Sequence, residues 1–178
     1  MRALMAIGLA AALAVGVQAQ SAELKVGDTA PDFSLQASDG KTYKLSDCKG
    51  KRAVVVAWFP KAFTTGCTIE CKSLAANGDK IRKYDVAYFM ASVDPLEGEQ
   101  GNAAFAKAYG ADFPLLSDAD KSVATKYGVL SGRGFANRWT FYVDRNGRIA
   151  YIDKAVRPET SAEDMIARLG EMKVATVN

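Results

Sequence analysis

The chain contains no histidine. That absence removes His-based general acid–base catalysis, Ser–His and Cys–His dyads, and the imidazole ligands of most zinc and copper sites. Cysteine is scarce as well. Cys48, Cys67 and Cys71 are too few to staple a disulfide scaffold. Charge of one sign is not concentrated: a formal net charge of +3, with no dense Lys/Arg cluster, marks no nucleic-acid partner. Internal repeats and low-complexity stretches are missing too.

Near the N-terminus, Met1-Arg2 is a short positive start, Ala3 to Gly16 is almost wholly apolar, and Val17-Gln18-Ala19 offers small residues of the kind a signal peptidase reads. The apolar run is too short and Ala-rich for a comfortable span of about 20 residues. The expectation is a signal peptide over 1–19, cleaved after Ala19, exporting the protein from a bacterial cytoplasm to the periplasm, with no stable membrane association afterwards. An uncleaved anchor or a buried N-terminal helix is the competing reading. Residues 23–178 then form one domain with one core, at an ordinary 49% hydrophobic and 24% charged residues for the whole chain.

Element types alternate along that domain. Phe33–Ala37 and Tyr43–Leu45 flank Ser38-Asp39-Gly40-Lys41, a hairpin pattern. Arg52–Phe59 and Val86–Val93 are continuous apolar runs suited to strands buried on both faces. Helices are expected over Thr65–Lys83 (loosened near Asn77-Gly78), Gly98–Tyr109, Ala119–Tyr127 and Glu159–Met172. Phe113–Leu116 reads as a short strand, and Arg138–Val143 with Arg148–Ile152 as a hairpin about Asp144-Arg145-Asn146-Gly147. The fold class is α/β, a mixed central sheet with helices on both faces and an N-terminal hairpin extension.

The richest stretch follows the first buried strand: Pro60-Lys61-Ala62-Phe63-Thr64-Thr65-Gly66-Cys67-Thr68-Ile69-Glu70-Cys71. A strand running through a Gly-containing turn delivers Cys67 to a helix start, where unpaired N–H groups and the helix dipole favour S⁻ over SH. Cys71 lies four residues on. The pattern is that of a redox-active thiol site. Glu70 reads first as a favourable charge in the opening helical turn rather than a catalyst. Cys48, in a polar turn before the central strand, reads as an incidental thiol, with an alternative resolving role left open.

Three motifs in order carry a family resemblance across nearly all of the expected domain. Val26-Gly27-Asp28-Thr29-Ala30-Pro31-Asp32-Phe33 resembles the opening segment of the alkyl hydroperoxide reductase and thiol-specific antioxidant family. Pro60-x-x-x-Thr64-x-x-Cys67 is similar to the peroxiredoxin active-site pattern, and Arg138-Trp139-Thr140-Phe141 to the segment bearing the active-site arginine. Within that family the wording around Cys67 is most similar to the Q-type, or bacterioferritin-comigratory, group. The resemblance implies a thioredoxin-like fold and a peroxidase without metal or cofactor, acting on hydrogen peroxide or organic hydroperoxides. It implies Cys67 as the peroxidatic thiol and a thioredoxin-like or other dithiol as reductant. The chemistry suits the residues. An accessible Cys67 thiolate attacks a peroxide oxygen, Arg138 supplies positive charge beside the sulfur, Thr64 orients the attacked oxygen, and Pro60, lacking an N–H, shields the sulfur. The sulfenic acid then condenses with a second thiol.

Cys71 is the expected resolving thiol, and here the chain departs from the Q-type pattern, which places it five residues after the peroxidatic cysteine. On an intact helix, Cβ atoms four residues apart are about 5–6 Å apart, while a disulfide wants about 3.8 Å, so the first turn must unwind. Thr65 stands where the Q-type pattern commonly has proline. The intramolecular pair suggests a monomer. Three other functions share the architecture: a thiol–disulfide oxidoreductase, which would want Cys-x-x-Cys; a Sco-like copper-handling protein, which has Cys-x-x-x-Cys but needs a histidine ligand; and a binding module that kept the fold and lost the chemistry, which would leave Cys67 unreactive toward peroxide.

Overall fold

Buried residues alternate between two layers along β3, Ala53–Trp58, and this strand anchors the molecule. Ala53, Val55 and Ala57 enter one core; Val54, Val56 and Trp58 enter the other. An unbroken apolar run is what a strand needs when both sheet faces are covered. The computed structural model describes residues 23–177, so the expected signal peptide at 1–19 lies outside the described residues.

Seven strands form one mixed sheet in the order β2-β1-β5-β4-β3-β6-β7. β4 (Val86–Ser92) runs parallel to β3, and β5 (Leu115–Ser117) parallel to β4. β6 (Thr140–Val143) and β7 (Ile149–Asp153) add an antiparallel hairpin on the far side of β3. The N-terminal hairpin, β1 (Ser34–Ala37) with β2 (Thr42–Lys44), extends the opposite edge by pairing β1 antiparallel to β5. Helices α1 (Thr65–Ala76), α2 (Gly78–Ile81), α3 (Asn102–Tyr109) and α5 (Ser161–Glu171) send Leu74, Ile81, Phe105, Met165 and Leu169 into the first core. The other face is covered by α4 (Ser122–Lys126), through Val123 and Ala124, and by the 3-10 turn Leu45–Asp47. The α/β class, the mixed sheet covered on both faces and the hairpin extension are as expected.

Several boundaries differ for physical reasons. The long helix after Cys67 divides at Asn77 into α1 and α2, as the Asn-Gly pair suggested. α3 begins at Asn102 rather than Gly98 because residues 98–101 form a tight turn. Gly98 sits at φ 93°, and a Cβ on Gly101 would fall 2.5 Å from the Glu97 carbonyl oxygen. α4 starts at Ser122, after Lys121 at φ 64°, with the Asp118 carboxylate accepting the Val123 and Ala124 N–H groups at 3.2 and 2.7 Å. Arg138 precedes β6 instead of opening it. Pro158 opens a 3-10 turn, Pro158–Thr160, that leads into α5 and lies against α1.

Candidate active site

At the end of β3 the chain cannot continue as a strand. Phe59 still donates its N–H to Ala91 O at 2.9 Å, but Pro60 has no N–H to give. The connection is then tied down at Ala62, whose N–H reaches Asp94 Oδ2 at 2.8 Å. Phe63 takes φ 62°, a left-handed conformation uncommon outside glycine, and turns the chain into α1. Its ring is held against Phe105 and Tyr109, with centroids 5.2 and 6.1 Å away. Thr64 is extended (φ −81°, ψ 154°), and its carbonyl accepts the Thr68 N–H at 2.9 Å, starting the helix. Gly66 and Cys67 thus fall in the first turn, where backbone N–H groups have no intrahelical acceptor.

Arg138 Nη2 donates to Cys67 Sγ at 3.1 Å, and Nη1 pairs with Glu70 Oε2. Cys67 and Glu70 are three residues apart on α1, so one guanidinium spans both. Gly66 leaves room for this approach: a Cβ there would lie 3.1 Å from Arg138 Nη2 and push the guanidinium aside by a few tenths of an ångström. Burial alone would pull the Arg138 pKa down, but Glu70 and Cys67 more than offset it, and the group stays a cation.

Glu70 is not the first-turn helix charge expected, because α1 begins at Thr65 and Glu70 falls in its second turn. It is 0% exposed, and Oε1 has no hydrogen-bond partner. Burial pushes its carboxyl up to about 7, against the opposing pull of Arg138. Nothing near position 70 in the sequence signals this, because the burial comes from distant segments folding over α1.

The other expected site residues are placed unevenly. Cys67 is fully buried rather than accessible; Arg138, with its side chain 18% exposed, is the solvent-facing member of the sulfur's hydrogen-bonded group. Peroxide therefore reaches the sulfur only after a side chain of the cover shifts. The Thr64 hydroxyl donates to Lys61 O at 2.9 Å, so it must rotate to meet a bound oxygen. Pro60 is half-buried at the strand end. Cys71 is a free thiol, fully buried in the same core as Cys67. Burial, with Glu70 and Cys67 beside it, pushes it up to about 12, so it is a thiol at neutral pH. Cys48 precedes β3 while Cys67 follows it, which separates them by roughly 20 Å of strand. Cys48 also packs against the second core, on the other sheet face from Cys67, so pairing with it has less support than pairing with Cys71. Among the described residues, no group of three His, Cys, Asp or Glu side chains is placed to hold a metal ion.

Residues 26–152 match the family model described as AhpC/TSA family. The chain is 36% identical over 136 residues to "Peroxiredoxin Bcp" of Escherichia coli (strain K12), covering 72% of this chain and 85% of that protein. It is likewise 36% identical over 133 residues to "Alkyl hydroperoxide reductase E" of Mycobacterium tuberculosis, covering 73% and 85%. This chain belongs to the AhpC/TSA family and is a peroxiredoxin of the Bcp/Q group. Among solved structures, peroxidoxin BcpB from Mycobacterium tuberculosis superposes with a TM-score of 0.76 at 28% identity, covering 84% of this peroxiredoxin and 99% of BcpB. PrxQ from Xylella fastidiosa shares the fold at the same TM-score with 20% identity, covering 85% and 99%. The thioredoxin-like fold follows, and with it a thiol-dependent peroxidase. Family membership favours that activity over copper handling or general disulfide exchange.

Proposed function

We propose that this peroxiredoxin reduces hydrogen peroxide or organic hydroperoxides at Cys67 and resolves the product with Cys71. The observation that carries the reading is the Arg138 Nη2 to Cys67 Sγ contact of 3.1 Å at a helix N-terminus. The Cys67 thiolate bonds to one peroxide oxygen as the O–O bond breaks. Sulfur is oxidised by two electrons, and the leaving alkoxide or hydroxide takes up a proton from water. Arg138, which touches the sulfur, also stabilises negative charge developing on the oxygens, as do the free N–H groups of the first turn. Thr64, rotated away from Lys61 O, orients the attacked oxygen, and Pro60 limits water at the site.

The sulfenic acid on Cys67 is then attacked by Cys71: an S–S bond forms, the S–O bond breaks, and water leaves with the Cys71 proton. Both sulfurs sit in one core on an intact α1, so this step requires the first turns of the helix to unwind. A thioredoxin-like or other external dithiol returns both cysteines to thiols. The basic–apolar–small pattern of residues 1–19 supports export to the periplasm, with the segment removed after Ala19, and the pairing of Cys67 with Cys71 inside one chain supports a monomer.

Mass spectrometry after one equivalent of hydrogen peroxide, with rapid thiol blocking, tests the assignment. A Cys67–Cys71 disulfide is the expected product, with Cys67→Ser losing all turnover and Cys71→Ser accumulating sulfenic acid at Cys67, which passes to sulfinic acid only when further peroxide is added. Oxygen stranded on Cys67 in the wild type would transfer resolution to an outside thiol, which the depth of Cys71 would then explain. An unmodified Cys67 would reject the peroxidase assignment for this residue.

A further inference from the structure

Asp94 takes no part in the chemistry outlined above, yet it holds the segment that carries it. Its Oδ2 accepts the Ala62 N–H at 2.8 Å and the Ser92 hydroxyl at 2.9 Å. Ser92 Oγ in turn accepts Asn102 Nδ2 at 3.0 Å, and Asn102 Nδ2 also donates to Leu116 O at 3.0 Å. Ser92 and Asn102 are fully buried. The Asp94 carbonyl accepts the Ser117 hydroxyl at 2.6 Å, and its N–H donates to Ser92 Oγ at 3.2 Å. Asp94 is thus fixed from β4, α3 and β5 together, and what it holds in return is the backbone between Pro60 and Thr64.

We infer that Asp94 is a positioning residue for the peroxidatic loop, setting the balance between attack on peroxide and release of the helix turn for disulfide formation. Three features lead there. The bond to Ala62 is charge-assisted, and such bonds are about twice as strong as neutral ones. The next residue, Phe63, is held at φ 62°, a conformation that persists only when its surroundings over-determine it. The Asp94 bond on one side and the Phe105–Tyr109 cluster on the other both restrain it, with the Thr64 hydroxyl bond to Lys61 O spanning it. Finally, Thr64 and Cys67 follow directly, so a displaced loop misplaces both the orienting hydroxyl and the first-turn N–H groups.

The consequence runs in opposite directions for the two steps. With the loop clamped, the Cys67 thiolate meets peroxide in an ordered site. With it released, attack slows, but the first turn of α1 unwinds more readily and Cys71 reaches the sulfenic sulfur sooner. This inference rests on Cys67 and Cys71 acting as proposed above, so the test separates the two. In a Cys71→Ser background, stopped-flow measures sulfenic acid formation on Cys67 alone. Asp94→Ala is expected to slow it about tenfold or more, since misplacement of about 1 Å can cost a hundredfold. Asp94→Asn keeps an acceptor for Ala62 and Ser92 and is expected to stay within about threefold of the parent, the difference expected when charge alone is removed from the bond. With Cys71 present, excess peroxide is expected to leave less sulfinic acid and more disulfide in Asp94→Ala than in wild type.

Thermal melting is followed in parallel. A residue that merely stabilises the fold would lower the melting temperature while leaving the attack rate of the folded protein and the disulfide-to-sulfinic ratio unchanged, and that result overturns the proposal. Should Asp94→Ala not fold, Ser92→Ala removes one donor to the same carboxylate, and an unchanged ratio there is equally decisive against it. If Cys67 of the Cys71→Ser parent does not react, the function reading fails with it. If the parent reacts and Asp94→Ala matches it, Asp94 alone is refuted.

Discussion

One guanidinium joins a sulfur and a carboxylate at this site, and their energetics differ. Cys67 receives a charge-assisted bond from Arg138, whereas Glu70 gives up hydration on both oxygens and recovers a partner on one. Arg138→Ala is expected to slow peroxide attack by roughly a hundredfold, the scale of removing one donor from a transition-state charge site; stopped-flow against peroxide concentration measures it. Glu70 links the site to pH. Its folded-state value of about 7 lies above the unfolded 4.5, so the folded chain binds the extra proton between these values. Stability contributed by the neutral group is therefore present below about 4.5 and lost as pH rises towards 7. Glu70→Gln cannot ionise, so its stability relative to wild type is expected to increase by on the order of 2 kcal/mol across that window, read from denaturant titrations at several pH values. Arg138 was legible in the sequence through the motif that surrounds it. Glu70 was not, because a carboxylate near a helix start is ordinarily solvated, whereas here it lies in the second turn of α1 and the packed segments around that helix exclude water from it.

At the scale of elements, the helices differ in how their ends are secured. α4 spans only five residues and depends on Asp118, whose carboxylate accepts two N–H groups of its first turn. Asp118→Ala is expected to destabilise the domain by about 1–2 kcal/mol, the range for losing such a cap, while leaving the rate of peroxide attack unchanged because α4 lies on the face away from Cys67. Denaturation and stopped-flow on the same variant check both halves. α1 shows the opposite arrangement: Thr64 makes no side-chain cap and spends its hydroxyl on Lys61 O. An uncapped start suits the opening of this turn that the proposed Cys71 resolution requires. The break at Asn77 was readable from Asn-Gly, whereas the late start of α3 was not. Gly98 and Gly101 could each occur in a helix, and only the closed turn with Pro95 and Leu96 accepting N–H groups from Asn102 and Ala103 shows why they do not.

Oxidation as proposed would reach the whole molecule through its first core. Cys67, Cys71 and Leu74 of α1 are all 0% exposed there, packed among residues from β3, α3 and α5. Closing a ring between Cys67 and Cys71 gains roughly 2 kcal/mol of chain entropy, but it requires the first turns of α1 to leave the sheet. Withdrawing even one or two fully buried side chains costs about 1.5–3 kcal/mol each. The disulfide form is thus expected to melt below the reduced form, the reverse of an ordinary structural disulfide; calorimetry of the two forms checks this. In a helix that accommodated the disulfide intact, the order would be reversed.

The sequence by itself determined the class of chemistry: no histidine, a cysteine at a strand-to-helix turn, Thr64 three residues before it and Arg138 in a distant motif. These are matters of residue type and local order, and they survive translation into any packed arrangement of the same elements. Its apolar runs also determined that β3 and β4 lie inside a covered sheet, since a continuous hydrophobic strand has no stable place at a surface. Tertiary structure alone decided the rest. It placed β1 beside β5, buried Glu70 against Arg138, hid Cys67 and Cys71 from solvent, and brought Asp94 to Ala62 across 32 residues of chain. Each of these depends on the distance between segments far apart in the sequence. Burial and pairing of that kind are properties of the packed molecule, fixed when both sheet faces are covered at once.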